Sequence, residues 1–246
     1  MYFIAGGITF IFTALLTIAG VGAAFILIPI FIALGIEVHT AMATALLLNA
    51  VAMSVASVKF VRSRIIVWNV AIPILIVASI LSPVGAWVSQ GLDRLILLWL
   101  FVGFLIFAAM MMLFYTPKAK ETIASTRALI VVGMTVGSLA GFIGGLLGVG
   151  GGNIIVPALV ALGFDPKKAS ATTSFVVIFS SLSGFLGHIS LAGMNYGLIG
   201  WTVAGSAGGA LLGSWLMVDK LKGRQVKLII GIVLLGIAVK MIWGLL

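Results

Sequence analysis

Long apolar runs separated by short polar segments make up almost the whole chain. A helix needs about 20 apolar residues to cross the hydrocarbon core of a bilayer, so the pattern predicts membrane-spanning helices. The runs cover residues 2–36, 41–58, 65–88 and 95–115, then 128–164, 169–187, 198–218 and 226–246. A polar segment separates the two sets. We therefore predict an all-α integral membrane protein.

Glycine interrupts the first run of each set, at Gly148–Gly152 and, more weakly, at Gly20–Gly22. Each glycine in a helix interior costs about 1 kcal/mol relative to alanine, so neither run continues as one straight helix. Inside a bilayer, a broken backbone is tolerated where protein or a water-filled cavity covers it. The breaks are therefore predicted to lie inside the protein, where they can meet a substrate.

The two sets of runs are copies of each other, offset by 128 positions. The residues that recur at this offset are Gly20, Val21, Gly22, Ile26, Pro29, Ala33, Leu34, Gly35, Ala41, Ala43, Thr44, Gly85 and Trp87. We define repeat 1 as residues 1–116, a cytoplasmic linker as 117–127 and repeat 2 as 128–246. Duplicated helical folds are typical of secondary transporters.

Basic residues in equivalent loops indicate that the repeats are inverted. The segment after the second run of repeat 1 contains Lys59, Arg62 and Arg64. The equivalent segment of repeat 2, residues 188–197, contains no lysine or arginine. After the third run, repeat 2 carries the basic excess instead. The positive-inside rule then gives the repeats opposite orientations, with both termini outside. The prediction is six full spans plus one broken-helix hairpin in each repeat.

The returning arm of the second hairpin, Asn153–Leu162, has about ten residues and is too short to span the bilayer. We therefore favour a turn inside the membrane. The alternative is one broken spanning helix in each repeat, with eight crossings and parallel repeats, which leaves the charge pattern without an explanation.

The second glycine break is the main candidate for substrate binding. Glycine lets the backbone approach a ligand closely, and Asn153 opens the returning helix. The N-terminus of a helix carries free N–H groups and about half a positive charge, which suits an anion. The binding candidates in both repeats are Gly150, Gly151, Gly152, Asn153, Thr172, Thr173, Ser174, Gly20, Gly22, Thr44 and Asn49. We assign hinge or packing roles to Pro29, Pro157, Gly141 and Gly145.

The hydroxyl and amide candidates each have a structural alternative. Thr172, Thr173 and Ser174 could donate to an anion, but such residues also bond the carbonyl four positions earlier in their own helix. Asn49 is a single amide within an apolar run and needs a partner. That partner is either a neighbouring helix or a ligand, and the sequence leaves both open.

Composition excludes several functions. The chain is 63% hydrophobic and 8% charged, far below the roughly 25% charged residues of soluble domains. Its net charge of +9 lies in loop clusters and does not indicate nucleic acid. It has no cysteine, no Walker motif and no carboxylate near the centre of a run, which disfavours ATP hydrolysis and cation transport. We expect no metal, no cofactor and no enzymatic activity.

The second glycine break resembles the signature of a known family. Residues 144–152, then Pro157, Leu162–Gly163 and Ala169–Thr172, are similar to the TauE/SafE family of sulfite and organosulfonate exporters. The resemblance covers nearly the whole chain and implies a small sulfur-containing anion and a prokaryotic plasma membrane. Repeat 1 departs from the motif at Ala23–Phe25, so a symmetric second site is in doubt.

We expect a multi-pass transporter that exports a small anion by alternating access. The alternatives are an anion channel and a transporter of an unrelated small organic anion. The expected partners are the anionic substrate and the lipid bilayer, a homodimer is left open, and nucleic acid is not expected.

Overall fold

A computed structural model describes residues 2–33, 36, 38–88, 94–114, 126–147, 151–188 and 196–245. The described backbone is almost entirely helical. The helices are α1 Tyr2–Ala19, α2 Ala24–Ala33, α3 Val38–Arg62, α4 Trp68–Val88, α5 Arg94–Phe114, α6 Thr126–Leu147, α7 Gly152–Ala161, α8 Pro166–His188, α9 Tyr196–Trp215 and α10 Gly223–Leu245. A π-helical turn, Leu216–Lys220, follows α9. The bounds of α2 and α7 differ by the 128 positions of the predicted duplication.

Five helices in the described part of the chain are long and apolar enough to cross a membrane. They are α3, α4, α6, α8 and α10, over Thr40–Arg62, Trp68–Gly85, Arg127–Leu146, Pro166–Leu186 and Gly223–Gly244. The helix α6, predicted as a hairpin arm, is among them. The helices α5 and α9, also predicted as spans, have 21 and 20 residues and are not among these five. The prediction of an all-α integral membrane protein is confirmed.

The outer surface of the bundle is apolar, as a bilayer requires. Its interior is partly polar. Large apolar side chains such as Trp87, Phe107 and Trp243 are at least two-thirds exposed. Several side chains with no exposed surface are polar: Thr9, Thr13, Thr17, Asn49, Asn153, Ser170, Thr173, Ser174, Ser181, Thr202 and Ser206. Buried polar groups need partners, so this interior is where hydrogen bonding is expected to matter.

The first helix of each repeat packs on the fourth helix of the other repeat: α1 on α9 and α6 on α4. Glycine allows both close approaches. Gly209 and Gly213 in α9 lie against the Phe10 and Ala14 carbonyls of α1. In the other pair, Gly141 and Gly145 of α6 lie against the backbone of Ala78 and Ser82 in α4. These glycines thus pack helices from different repeats together.

The helices α1, α3 and α9 run in the same direction. Phe10 of α1 contacts Gly209 of α9, and Ala14 contacts Gly213, so the contacts follow the same N-to-C order in both helices. Between α9 and α3, Ser206 Oγ donates to the Leu48 carbonyl, and Lys59 Nζ pairs with Asp219 just beyond α9. Because α1 and α3 run the same way, the chain must reverse between them. The short helix α2 is the returning arm, and α1 and α2 form hairpin 1.

The helices α4, α6 and α8 share a direction opposite to that of α3. The α6–α4 glycine contacts advance together along both helices. The rings of Trp68 and Phe175 lie 5.0 Å apart near the start of the α4–α8 contact. Further along, Ser183 Oγ donates to the Ser79 carbonyl at 3.2 Å. The chain therefore also reverses between α6 and α8, and α6 and α7 form hairpin 2.

Three basic loops lie on one face of the bundle. Lys59 Nζ is 2.8 Å from the Asp219 carboxylate, and Lys167 Nζ donates to the Val218 carbonyl at 2.9 Å. We name this surface the basic face, and its members are Lys59, Arg62, Arg64, Lys167, Lys168, Lys220, Lys222 and Arg224. The end of α3 and the starts of α8 and α10 therefore lie on the same side of the bundle.

Candidate functional site

The tips of the two hairpins meet inside the bundle. Gly152, the first residue of α7, lies so close to hairpin 1 that an added Cβ would be 2.7 Å from the Val21 carbonyl oxygen. Gly22 lies against the side chain of Asn49, near the middle of α3. These residues are buried, so the meeting point is inside the protein. The candidates from the two glycine breaks therefore share one region.

The tips depend on glycine for their backbone conformation. Gly20, Gly22 and Gly151 have φ values of 71°, 81° and 74°, a left-handed region that other residues rarely adopt. Gly151 is also pressed against Ala140, whose carbonyl oxygen would lie 2.5 Å from an added Cβ. Gly150 lies outside the described residues. At least three of the predicted binding glycines are thus needed to shape the turns.

The side chain of Asn49, which lies in α3, caps the start of α2 in hairpin 1. Its Oδ1 accepts the Ala23 N–H at 2.9 Å, and its Nδ2 donates to Ser181 Oγ in α8 at 2.8 Å. The amide therefore caps a helix in repeat 1 and joins it to a helix of repeat 2. Of the two roles that the sequence left open for Asn49, the geometry favours the contact between helices.

Among the described residues, no side chain caps hairpin 2 in this way. The residue 128 positions after Asn49 is Val177, which has no polar group to offer and is fully buried. Asn153 instead lies in the first turn of α7, with no exposed surface and with neither Oδ1 nor Nδ2 bonded to any described residue. A buried unpaired polar group costs about 1–3 kcal/mol. The tip of hairpin 2 therefore has hydrogen-bonding capacity that the described protein does not use.

The backbone of α7 adds to this capacity. The N–H groups of Ile154 and Ile155 are bonded to the Gly151 carbonyl, at 3.0 and 3.2 Å. The N–H groups of Gly152 and Asn153 come before them, where an α-helix provides no partner of its own. Pro157, buried within α7, has no N–H to donate to the Asn153 carbonyl four residues earlier. The first turn of α7 thus has N–H donors and a carbonyl acceptor for which the α-helix itself provides no partner.

The predicted hydroxyls have different surroundings. Thr172 Oγ1 accepts the Val67 N–H at 3.0 Å, which ties α8 to the loop before α4. Ser174 Oγ donates to the carbonyl of Ser170, four residues earlier, at 2.9 Å. Thr173 Oγ1 is buried without a partner among the described residues, on a helix that packs against α7. Thr44 is buried. Of these four side chains, Thr173 most resembles Asn153, because its buried hydroxyl has no hydrogen-bond partner among the described residues.

Two serines outside the candidate set connect the repeats. Ser170 Oγ donates to the Ile18 carbonyl at the end of α1, at 3.0 Å. Ser181 Oγ accepts from Asn49. The sequence indicates that these serines form hydrogen bonds, since a serine within an apolar helix needs a partner. Their partners lie more than 130 positions away, however, and the sequence does not reveal such pairs.

The two hinge candidates lie in the short returning helices. Pro157 is buried in α7, and Pro29 lies in α2, where its side chain is outside the described set. Over the described part of the chain, no group of three or more His, Asp or Glu side chains is placed to hold a metal ion.

The architecture is that of a multi-pass membrane transporter: helices of membrane length surround two broken-helix hairpins whose tips meet at a buried polar region. The comparison with known families gives the same class. The pattern of the family described as "Sulfite exporter TauE/SafE" matches residues 5–241. The chain belongs to this family.

The relatives are named as transporters. A probable membrane transporter protein of Haemophilus influenzae is 31% identical over 206 residues, 82% of this chain and 80% of the relative. The probable membrane transporter protein YunE of Bacillus subtilis is 34% identical over 113 residues, 41% of its length. The sulfite exporter TauE/SafE family protein 1 of Arabidopsis thaliana is 44% identical over 69 residues, 14% of its length. The last two matches span less than half of each relative. No solved structure matches the chain significantly.

Proposed function

We propose that this transporter exports a small sulfur-containing anion, such as sulfite or an organosulfonate, and binds it at the tip of hairpin 2. The observation that carries the proposal is the fully buried Asn153 side chain, which has no partner among the described residues. The family description and the names of the plant relatives support the substrate class.

The chemistry of the tip suits a small anion. Asn153 Nδ2 and the first N–H groups of α7 are donors, and the helix N-terminus adds about half a positive charge. Thr173 can add a hydroxyl donor from α8. Asn153 Oδ1 can accept a hydrogen bond from a protonated oxyanion or from a water that accompanies the anion. Binding would replace part of the anion's hydration shell without a buried cation.

The proposed mechanism is alternating access of the two repeats around the hairpin tips. Support comes from the helix directions, because α3 and α8, as well as α4 and α9, are equivalent helices that run oppositely. Hairpins that meet tip to tip, as at Gly152 and Val21, can open toward one side while closing the other. We place the basic face in the cytoplasm of a prokaryote and both termini outside.

Flux of radiolabelled sulfite from proteoliposomes tests the function. We expect saturable flux that unlabelled sulfite and a small organosulfonate inhibit, and that an inorganic cation does not. A planar-bilayer recording of the same preparation separates a transporter from a channel. Unitary anion currents would contradict alternating access, and the absence of sulfite or sulfonate flux in correctly folded protein would contradict the substrate class.

A further inference from the structure

The two hairpin tips differ at one pair of equivalent positions, Asn49 in α3 and Val177 in α8. Asn49 Oδ1 accepts the N–H of Ala23, the residue that precedes α2, at 2.9 Å. The residue that precedes α7 is Gly151, which lies 128 positions after Ala23. Among the described residues, no side chain caps α7 as Asn49 caps α2. The Asn49 amide therefore fills at α2 a place that stays open at α7.

Val177 lies on the face of α8 that meets the hairpin tips. It follows Ser170 by seven residues and precedes Ser181 by four, so the three side chains project from one side of the helix. Ser170 Oγ donates to the Ile18 carbonyl at the end of α1, and Ser181 Oγ accepts from Asn49. Val177 is fully buried between these two contacts, on a helix that also packs against α7. A side chain at position 177 therefore points toward the region where the tips meet.

The apolar side chain of Val177 leaves the first turn of α7 to a ligand. Valine has no atom that can accept a hydrogen bond from the N–H groups that open the helix. The polar side chains of this region, Asn153 in α7 and Thr173 one turn before Val177, are buried and have no partner among the described residues. In hairpin 1, by contrast, a neutral oxygen that belongs to the protein already accepts the N–H group. An anion's oxygen would need the same position at the start of the helix.

We propose that Asn49 and Val177 determine which hairpin takes the anion and so limit the transporter to one anion site per chain. The Asn49 carbonyl oxygen occupies the N-terminus of α2 as an oxygen of the substrate occupies that of α7. Val177 is the specificity-determining position of repeat 2, because it offers α7 no cap that would compete with the substrate. This inference rests on the proposed function, since it concerns the same site.

The test transfers the cap: Val177→Asn gives hairpin 2 the amide that hairpin 1 has. Val177→Leu is the matched variant, because leucine has nearly the shape of asparagine but no polar atoms. Without any anion, the purified Val177→Asn chain should unfold at a midpoint roughly 2–4 °C above that of Val177→Leu, as a helix cap does in a chain of this size. In isothermal titration calorimetry, Val177→Asn should bind sulfite at least about tenfold more weakly than Val177→Leu, because the new amide competes for the donors of α7.

Equal midpoints and equal sulfite affinities of the two variants would overturn the inference. An equal loss of affinity in both would also overturn it, since the loss would then come from side-chain size. The stoichiometry of the wild-type chain is a test that needs neither variant to fold: we expect one sulfite per chain, and two would contradict a single site. Absence of sulfite binding by the folded wild type would instead contradict the proposed function, and the two midpoints would still show whether an amide at position 177 caps α7.

Discussion

Two buried amides, Asn49 and Asn153, mark the two hairpin tips and have opposite surroundings. Asn49 is bonded at both ends, to the Ala23 N–H and to Ser181 Oγ. Asn153 is bonded at neither end within the described residues. The sequence singles out both residues, because an amide in an apolar run is unusual. It does not show which one has partners, since those partners come from helices that only the tertiary fold brings close.

Asn49 should therefore contribute to stability. Asn49→Leu removes a buried cap and leaves the Ala23 N–H and the Ser181 hydroxyl without this partner. We expect a loss of roughly 2–4 kcal/mol in the free energy of unfolding, since each unpaired buried group costs about 1–3 kcal/mol. Denaturant unfolding measures it. The control is Ser54→Ala in the same helix, whose hydroxyl bonds only its own helix. A change equal to that of the control would show that the bridge is unimportant.

At the scale of elements, the hairpins are the feature that the sequence predicts best. Dense glycines end one helix, and a ten-residue arm is too short to cross the bilayer. The bounds of α2 and α7 agree with the predicted offset. The packing of α1 on α9 and of α6 on α4 could not be predicted, because helix periodicity shows which residues share a face but not which helix covers it. The glycines at Gly141 and Gly145 indicated only that some helix comes close.

The tip of hairpin 2 should tolerate no side chain at Gly151. Gly151→Ala places a Cβ against the Ala140 carbonyl at a φ of 74°. The left-handed conformation alone should cost roughly 1–3 kcal/mol. Gly7→Ala in α1 is the control, because nothing lies within 4 Å of an added Cβ there. Thermal unfolding should show a lower midpoint for the first variant and an unchanged or higher one for the second. An unchanged midpoint for Gly151→Ala would contradict the turn.

At the scale of the whole molecule, opposite helix directions and the shared basic face both support inverted repeats. The inverted relation stays a prediction, which the charge pattern makes because loop charge reflects orientation rather than local structure. The shared face depends on three loops that lie far apart in sequence and meet around Lys59, Lys167 and Asp219.

Sidedness can be measured directly on this cysteine-free chain. Single Lys59→Cys and Lys222→Cys variants in oriented vesicles should react with an impermeant thiol reagent from the same, cytoplasmic side. Phe3→Cys, at the start of α1, should react from the other side. Labelling of Lys59→Cys and Lys222→Cys from opposite sides would contradict the inverted arrangement.

The pair Lys59–Asp219 joins the repeats on the basic face, with both side chains 37% exposed. An exposed ion pair contributes little to stability, about 0–1 kcal/mol. We expect the two repeats to move apart at this ion pair during transport. Cross-linking the double variant Lys59→Cys, Asp219→Cys with a short bifunctional thiol reagent should stop flux, and reduction should restore it. The single variants, treated in the same way, are the control. Full flux in the cross-linked protein would show that the repeats do not separate at this face.

The most direct test of the central claim is sulfite flux through Asn153→Leu in proteoliposomes. Losing a hydrogen bond to an anion costs about 1.5–3 kcal/mol, and 1.4 kcal/mol is a factor of ten. The rate at low sulfite should therefore fall at least about tenfold, while the protein remains folded. Thr9→Val is the matched control, since it removes a buried hydroxyl that bonds only its own helix, and it should keep the wild-type rate. Wild-type flux in folded Asn153→Leu would contradict the assignment of the binding site to the tip of hairpin 2.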